Sequence, residues 1–288
     1  MEFNFILPEN FTEQSVSHLL EKTWLIPRKQ RHFLRMKKHI LVNNTLATDE
    51  QLLVHGDKIT LIFDADDFSP LNVQFGQAQL ADILYEDEHL VIANKPEGMK
   101  THGNSPGEIA LQNHVAAALK QPVFVVHRLD EATSGAVLFA KNQFVLPILG
   151  KMFEQNEIHR EYLALVDGKV KKDHFTIKQA IGRNRHDKRK YLVTPTGLSA
   201  ITHVELIKQF STTSLVKCRL ETGRTHQIRV HLSANGYPIV GDMLYGKANK
   251  QRMMLHAYKI LLREPFTSEK IEVSAPSPHF EQIIQAIK

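Results

Sequence analysis

Val125-Val126-His127-Arg128-Leu129-Asp130-Glu131-Ala132-Thr133-Ser134-Gly135-Ala136 is an apolar strand that stops at a charged four-residue step and resumes beyond a glycine. Later in the chain, Gly223-Arg224-Thr225-His226-Gln227-Ile228-Arg229-Val230-His231-Leu232 alternates polar and apolar side chains, as one face of a strand or short helix requires. It runs on into Gly236-Tyr237-Pro238-Ile239-Val240-Gly241-Asp242 and Leu244-Tyr245-Gly246. A third stretch, 85–98, carries the apolar run Leu90-Val91-Ile92-Ala93 into Lys95-Pro96-Glu97-Gly98, a turn by its proline and glycine. Taken singly, each has a structural reading: Asp130 capping a turn, Tyr162 as a core aromatic, Pro96 and Gly98 as a bend.

Outward from these stretches, strand-like runs (Phe124-Val125-Val126, Ala136-Val137-Leu138-Phe139, Tyr162-Leu163-Ala164-Leu165-Val166) alternate with helical ones (Ala110 to Leu119, Phe144 to Glu154). That is an α+β pattern. Before it, Asp64 to Gln79 is acidic, then polar and without periodicity, and reads as a linker. The N-terminal part predicts a helix from Ser15 to Trp24 and a basic one from Arg28 to Lys38. A strand follows from His39 into an Asn43-Asn44 turn, and another from Lys58 to Phe63 after Gly56-Asp57. Two domains are expected: 1–75, a small α/β unit, and 76–288.

The chain has 288 residues, 42% hydrophobic and 23% charged, which excludes a disordered or fibrous protein. It has no apolar run near the ~18 residues that a bilayer helix needs. Its first residues, Met1 to Gln14, carry Glu2, Glu9 and Glu13 and lack the basic start and apolar stretch of a secretory signal, so a cytoplasmic location is expected. The single cysteine, Cys218, reads as a small buried strand residue. The net charge of +5 is mild, but it is concentrated. Lys22 to Lys38 contains seven Lys or Arg and no acid, and Arg183 to Lys190 contains five against Asp187 alone. Such patches suit the phosphates of RNA or DNA, or are simply solvated faces.

In this order, His127-Arg128-Leu129-Asp130-x-x-Thr133-Ser134-Gly135 with Gly223-Arg224-Thr225-His226-Gln227-Ile228-Arg229-Val230-His231 closely resembles the RluA family of RNA pseudouridine synthases, over essentially Leu80 to Lys288. The basic helix pair, Leu41-Val42-Asn43 and His55-Gly56-Asp57-Lys58-Ile59 resemble the S-four RNA-binding domain, with Asn44 where that family usually has glycine. The resemblance implies a mainly antiparallel central sheet with flanking helices and an active cleft across its middle. It implies isomerisation of selected uridines in RNA: the base is detached at nitrogen 1, turned, and rejoined through carbon 5. It also assigns residues: Asp130 as the catalytic carboxylate, Arg229 as its cationic partner, and Tyr162 stacking on the base. Ile228 packs on the uracil, and His127, Arg128, Arg224 and His226 lie on the substrate side.

The residue chemistry agrees. Breaking a glycosidic bond calls for a carboxylate beside the anomeric carbon, as nucleophile or as base, and the sequence leaves both routes open. Such a carboxylate stays ionised away from water only beside a cation. A base in folded RNA must also leave its stack, and Arg128 is placed to brace the gap. The product is an isomer, so no cofactor is expected. A metal hydrolase built on His226, His231, His203 and Asp242 lacks helical i, i+4 spacing, so no metal site is expected. No nucleotide-binding glycine loop is present, and a non-catalytic RNA-binding protein is disfavoured by the presence of Asp130, Tyr162 and Arg229 together. The expected partner is RNA, with large-subunit ribosomal RNA favoured over transfer RNA. No membrane is involved and nothing calls for a second subunit, so a monomer is expected.

Overall fold

The computed structural model describes residues 1–69, 73–247 and 252–287. Its centre is a ten-stranded sheet, in the order His174–Lys178, Ile201–Gln209, Thr213–Leu220, His159–Asp167, Leu255–Arg263, Ser134–Ala140, Leu90–Lys95 and Asp82–Glu86. Lys270–Ser274 and Phe124–Val125 pair at its middle. The sheet is mainly antiparallel, as expected, and the exception is informative. Ser134–Ala140 and Leu255–Arg263 run parallel, meeting only at Ser134 with His256 and Gly135 with Ala257. Gly135 has φ +118, and a Cβ there would lie 2.2 Å from the carbonyl oxygen of Ala257. Only glycine permits that approach. It brings the Arg128–Thr133 loop to the centre of the sheet, next to the strand that carries Tyr162.

The helices expected on the flanks are Leu111–Leu119 and Val145–Glu154. The Gly223–Leu232 stretch resolves as a helix, Gln227–Ala234, with Gln227 to Leu232 all buried.

The N-terminal residues form a four-stranded sheet, Glu2–Ile6, Lys58–Ile62, Ile40–Val42 and Thr45–Leu46, with the helix Arg28–Met36 beside it. Asn43 and Asn44 both take left-handed φ values, 50° and 64°, as a two-residue hairpin turn demands. Asn43 ties the two loops together: its Oδ1 accepts from Lys58 N–H at 2.9 Å and its Nδ2 donates to Asp57 at 2.8 Å. Two helical expectations are corrected. Ser15 to Trp24 is one turn of α-helix, Val16–His18, running into a wide turn, Leu19–Thr23, closed by Trp24 N–H on the Leu19 carbonyl at 2.8 Å. The added residue per turn buries Leu19, Leu20 and Trp24 together. The basic helix ends at Met36 because Lys38 adopts φ 58.

The expected linker, 64–79, is tied down at both described ends, while 70–72 lie outside the described residues. Ala65–Asp67 forms a capped turn, and Gly76 and Gln77 bond to Asn113 and His114 of the flanking helix. The N-terminal sheet also shares a core with the rest of the chain. Phe3 and Phe63 lie 4.8 and 4.9 Å from Phe144, and Phe5 and Trp24 lie 4.4 and 5.4 Å from Phe266. Burying a side chain of this size is worth about 1.5–3 kcal/mol. A chain truncated to residues 76–288 is therefore expected to be less stable by at least about 3 kcal/mol, from uncovering Phe144 and Phe266. Chemical denaturation checks this, and an unchanged midpoint would contradict it.

Candidate active site

A cavity of about 80 Å3 opens at the middle of the sheet, where the Asp130 loop, the Tyr162 strand and the Gln227–Ala234 helix converge. The loop is held from behind. Thr101 Oγ1 accepts from Leu129 N–H at 3.1 Å and donates to the Leu129 carbonyl at 3.2 Å. Lys95, fully buried, gives its ammonium to the carbonyls of Pro96 (3.0 Å), Met99 (2.5 Å) and Glu131 (3.0 Å). An ammonium has three N–H donors, and here each has its acceptor. Glu131 directly follows Asp130, so Lys95 fixes the backbone from which the carboxylate projects.

Asp130 Oδ2 accepts from Arg229 Nη1 at 2.7 Å. The same guanidinium is gripped from its other side by Asp242, Nε to Oδ2 at 2.7 Å and Nη2 to Oδ1 at 2.8 Å, a bidentate pair. Asp242 is itself fully buried, and its Oδ1 also accepts from the N–H groups of Leu244 and Tyr245 at 2.9 and 3.2 Å. Burial alone would push the Arg229 pKa down, but bonds to Asp242 and Asp130 outweigh it and hold it above the ordinary value. Burial likewise works against the Asp242 charge, yet Arg229 holds that carboxyl below its usual range. A permanent cation is thus locked against Asp130.

Tyr162, Ile228, Arg128, Arg224 and His226 all line the cavity with Asp130 and Arg229. Tyr162 is 5% exposed, and burial pushes its phenol up, with Arg160 opposing. Arg224 is fixed by Nε on the Ser199 carbonyl at 2.9 Å. His127 is the exception among the expected substrate-side residues. It is absent from the cavity wall; its Nε2 accepts from Leu138 N–H at 3.0 Å and its ring lies 5.0 Å from that of Phe153. Burial, with Arg160 nearby, pushes its pKa down to about 3, so it is a neutral strut for the loop.

The histidines weighed as metal ligands diverge. His231 is buried between Thr202 Oγ1 and the Gln179 carbonyl, both at 2.8 Å, and His203 bonds Thr176 and Glu221. Sequence reasoning weighed Asp242 only as a metal ligand and Lys95 only as part of a turn. An acid set between glycines downstream of Arg229, and a lysine ending a mainly apolar strand, were the available signals.

The basic stretches are less free than their composition implies. Lys22 and Arg31 pair with Glu21, Arg35 with Asp49, and Lys37 with Asp64, Asp66 and Asp67. Arg28, Lys29 and Lys38 have no ion-pair partner among the described residues. In the second stretch, a hairpin between Ile181–Arg183 and Tyr191–Val193, Arg189 is held by Asp187 at 3.0 Å.

Burial lowers the Lys95 pKa to about 8, with Asp130 opposing. Below that pH the ammonium satisfies three carbonyls; above it one bond is lost and the loop loosens. Turnover is therefore expected to fall as pH rises through about 8, the value the buried lysine takes. Lys95→Met is expected to lack that limb and to run about 10²-fold slower throughout, the scale of a small misplacement. Rate–pH profiles of the two proteins check this, and a wild-type profile level to pH ~9.5, well past the range in which that lysine releases its proton, would contradict it.

Comparison with known proteins places this fold among RNA-modifying isomerases. The family described as RNA pseudouridylate synthase matches residues 89–234, and the RluD ribosomal pseudouridine synthase N-terminal domain matches residues 3–59. The uncharacterized RNA pseudouridine synthase YhcT of Bacillus subtilis is 37% identical over 251 residues, 84% of this chain and 82% of its own. Ribosomal large subunit pseudouridine synthase D of Nitrosomonas europaea is 33% identical over 305 residues, 98% of this chain and 87% of its own. Among solved structures, human RNA pseudouridylate synthase domain containing 1 aligns with TM-score 0.59 and 27% identity, covering 76% of this chain and 97% of that one. The chain belongs to the RNA pseudouridylate synthase family, in its RluA branch, and converts uridine to pseudouridine in RNA.

Proposed function

We propose that Asp130 performs this isomerisation on large-subunit ribosomal RNA. The observation that carries the catalytic assignment is the 2.7 Å bond from Arg229 to Asp130 Oδ2 in the cavity wall. It sets the carboxylate against a cation that Asp242 prevents from turning away. A uridine turned out of its stack enters the cavity, packs on Ile228 and meets the ring of Tyr162. Asp130 attacks the sugar or takes its proton, and the freed uracil turns and rejoins through carbon 5. As the new bond forms, carbon 5 gives up its proton to solvent and nitrogen 1 takes one up; the product is an isomer of the starting nucleotide, so no cofactor enters the scheme. Arg128, exposed at the rim, braces the vacated stack, and Arg224 lies on the path of the RNA backbone.

Two findings favour a ribosomal over a transfer RNA substrate. The relative named for the ribosomal large subunit aligns along 98% of this chain, and the N-terminal match extends to residue 59. In this reading 1–75 is an RNA-binding domain and 76–288 the catalytic domain of a cytoplasmic monomer. Mapping pseudouridine in ribosomal and transfer RNA from cells with and without the protein tests the substrate. Loss of ribosomal positions is expected, and loss confined to transfer RNA would overturn the choice.

A further inference from the structure

His226 stands at the start of the Gln227–Ala234 helix with φ 57 and ψ 20, a left-handed conformation that a non-glycine residue rarely adopts. It makes no side-chain capping bond there. Instead its ring sits edge-on to Tyr191 and Tyr245, 5.6 Å from each. Its Nδ1 lies 2.8 Å from the Tyr245 hydroxyl, and that hydroxyl accepts the backbone N–H of Tyr191 at 2.7 Å. A phenol has one proton to give. With Tyr191 already donating to the oxygen and no other acceptor for the phenol proton among the described residues, the direction that satisfies that proton sends it to Nδ1 and leaves the imidazole proton on Nε2. Nε2 in turn lies 3.6 Å from Asp130 Oδ2, longer than a hydrogen bond and within a small movement of one. Arg229 bonds the same oxygen, whereas Asp130 Oδ1 has no partner among the described residues.

We propose that the Tyr245 hydroxyl holds His226 in the neutral Nε2–H form and that this N–H closes on Asp130 Oδ2 when RNA fills the cavity, leaving Oδ1 as the reactive oxygen. This rests on the reading of Asp130 as the catalytic carboxylate. It makes His226 a positioning residue that acts through Asp130, with its tautomer set from the base of the basic hairpin. The charged groups facing the imidazole are Asp130, Arg229, Asp242 and Arg128. Burial lowers its pKa, with Asp130 opposing and Arg229 assisting, so the neutral form prevails at neutral pH. Protonation of Nδ1 would require breaking the Tyr245 bond.

The test compares single-turnover rates and RNA affinities of Tyr245→Phe, His226→Gln and His226→Leu across pH 5–8.5, around the ordinary pKa of histidine, with Asp130→Asn alongside. In Tyr245→Phe nothing donates to Nδ1, and the acid limb of the rate is expected to move up by about one pH unit with RNA affinity within about twofold. His226→Gln keeps an N–H donor that does not titrate: a rate within about tenfold of wild type at neutral pH and no such limb are expected. His226→Leu is expected to lose about 10²-fold or more. A wild-type acid limb in Tyr245→Phe, or equal rates in the Gln and Leu proteins, would overturn the proposal. If Tyr245→Phe fails to fold, the Gln and Leu pair decides alone. Activity retained in Asp130→Asn would instead refute the catalytic assignment, an outcome distinct from either.

Discussion

Replacing Asp130 by asparagine is expected to stop isomerisation while RNA still binds. The change is nearly isosteric, but it removes the charge opposite Arg229 Nη1 and, among the described residues, the only carboxylate in the cavity wall. If the carboxylate acts as a base, the loss should be about 10²–10⁴-fold. If it acts as a nucleophile, loss on the order of 10⁶-fold is the appropriate scale. The depth of the defect thus bears on a choice the sequence leaves open. RNA affinity should stay within about threefold, because Lys and Arg contacts to phosphate dominate it and none is removed. Chromatography of nucleosides after digestion gives the first quantity and filter retention the second. Affinity falling in step with rate would mean that Asp130 holds RNA rather than transforms it.

The second large effect is expected from Asp242→Ala, a residue that never meets the substrate in this account. It strips two acceptors from the buried guanidinium of Arg229 and orphans the N–H groups of Leu244 and Tyr245. Removing one member of a buried pair costs about 3–5 kcal/mol. Turnover should fall as well, because Arg229 would be free to leave Asp130. Denaturant unfolding measures the first, and a loss below about 1 kcal/mol would show that water replaces the carboxylate. The same pair predicts acid sensitivity. Asp242 lies below its usual 3.8 in the folded protein, so its contribution is present above that pH and is lost as pH falls through the lower, folded value.

What the sequence revealed and what it concealed have physical causes. Asp130 and Arg229 were legible through the motifs that resemble the RluA family; taken alone, Asp130 reads as a turn cap. The Asn43-Asn44 turn was legible because few residues serve in left-handed backbone, whereas the close approach of Gly135 to Ala257 shows only in three dimensions. Asp242 was weighed only within a metal reading that was set aside, and its grip on Arg229 was missed, since a buried acid looks the same in one dimension whether it binds a metal or a guanidinium. His127 was placed on the substrate side because it adjoins Arg128; only the strand geometry shows its ring turned back onto Leu138 N–H. The basic helix read as free positive surface because the acids that neutralise Arg31, Arg35 and Lys37 lie outside the basic stretch in sequence. The shared aromatic core was invisible for a similar reason. Phe3, Phe144 and Phe266 are distant in sequence, and nothing in local periodicity links them.

The most direct test of the central claim is tritium release from RNA labelled at carbon 5 of uridine, taken from cells lacking the protein and separated into ribosomal and transfer fractions. Wild-type protein and Asp130→Asn are assayed side by side. Release from the ribosomal fraction with wild-type protein, and none above background with the variant, is the predicted result. Equal release by both proteins, or no release by wild type from either fraction while RNA binding persists, would contradict it.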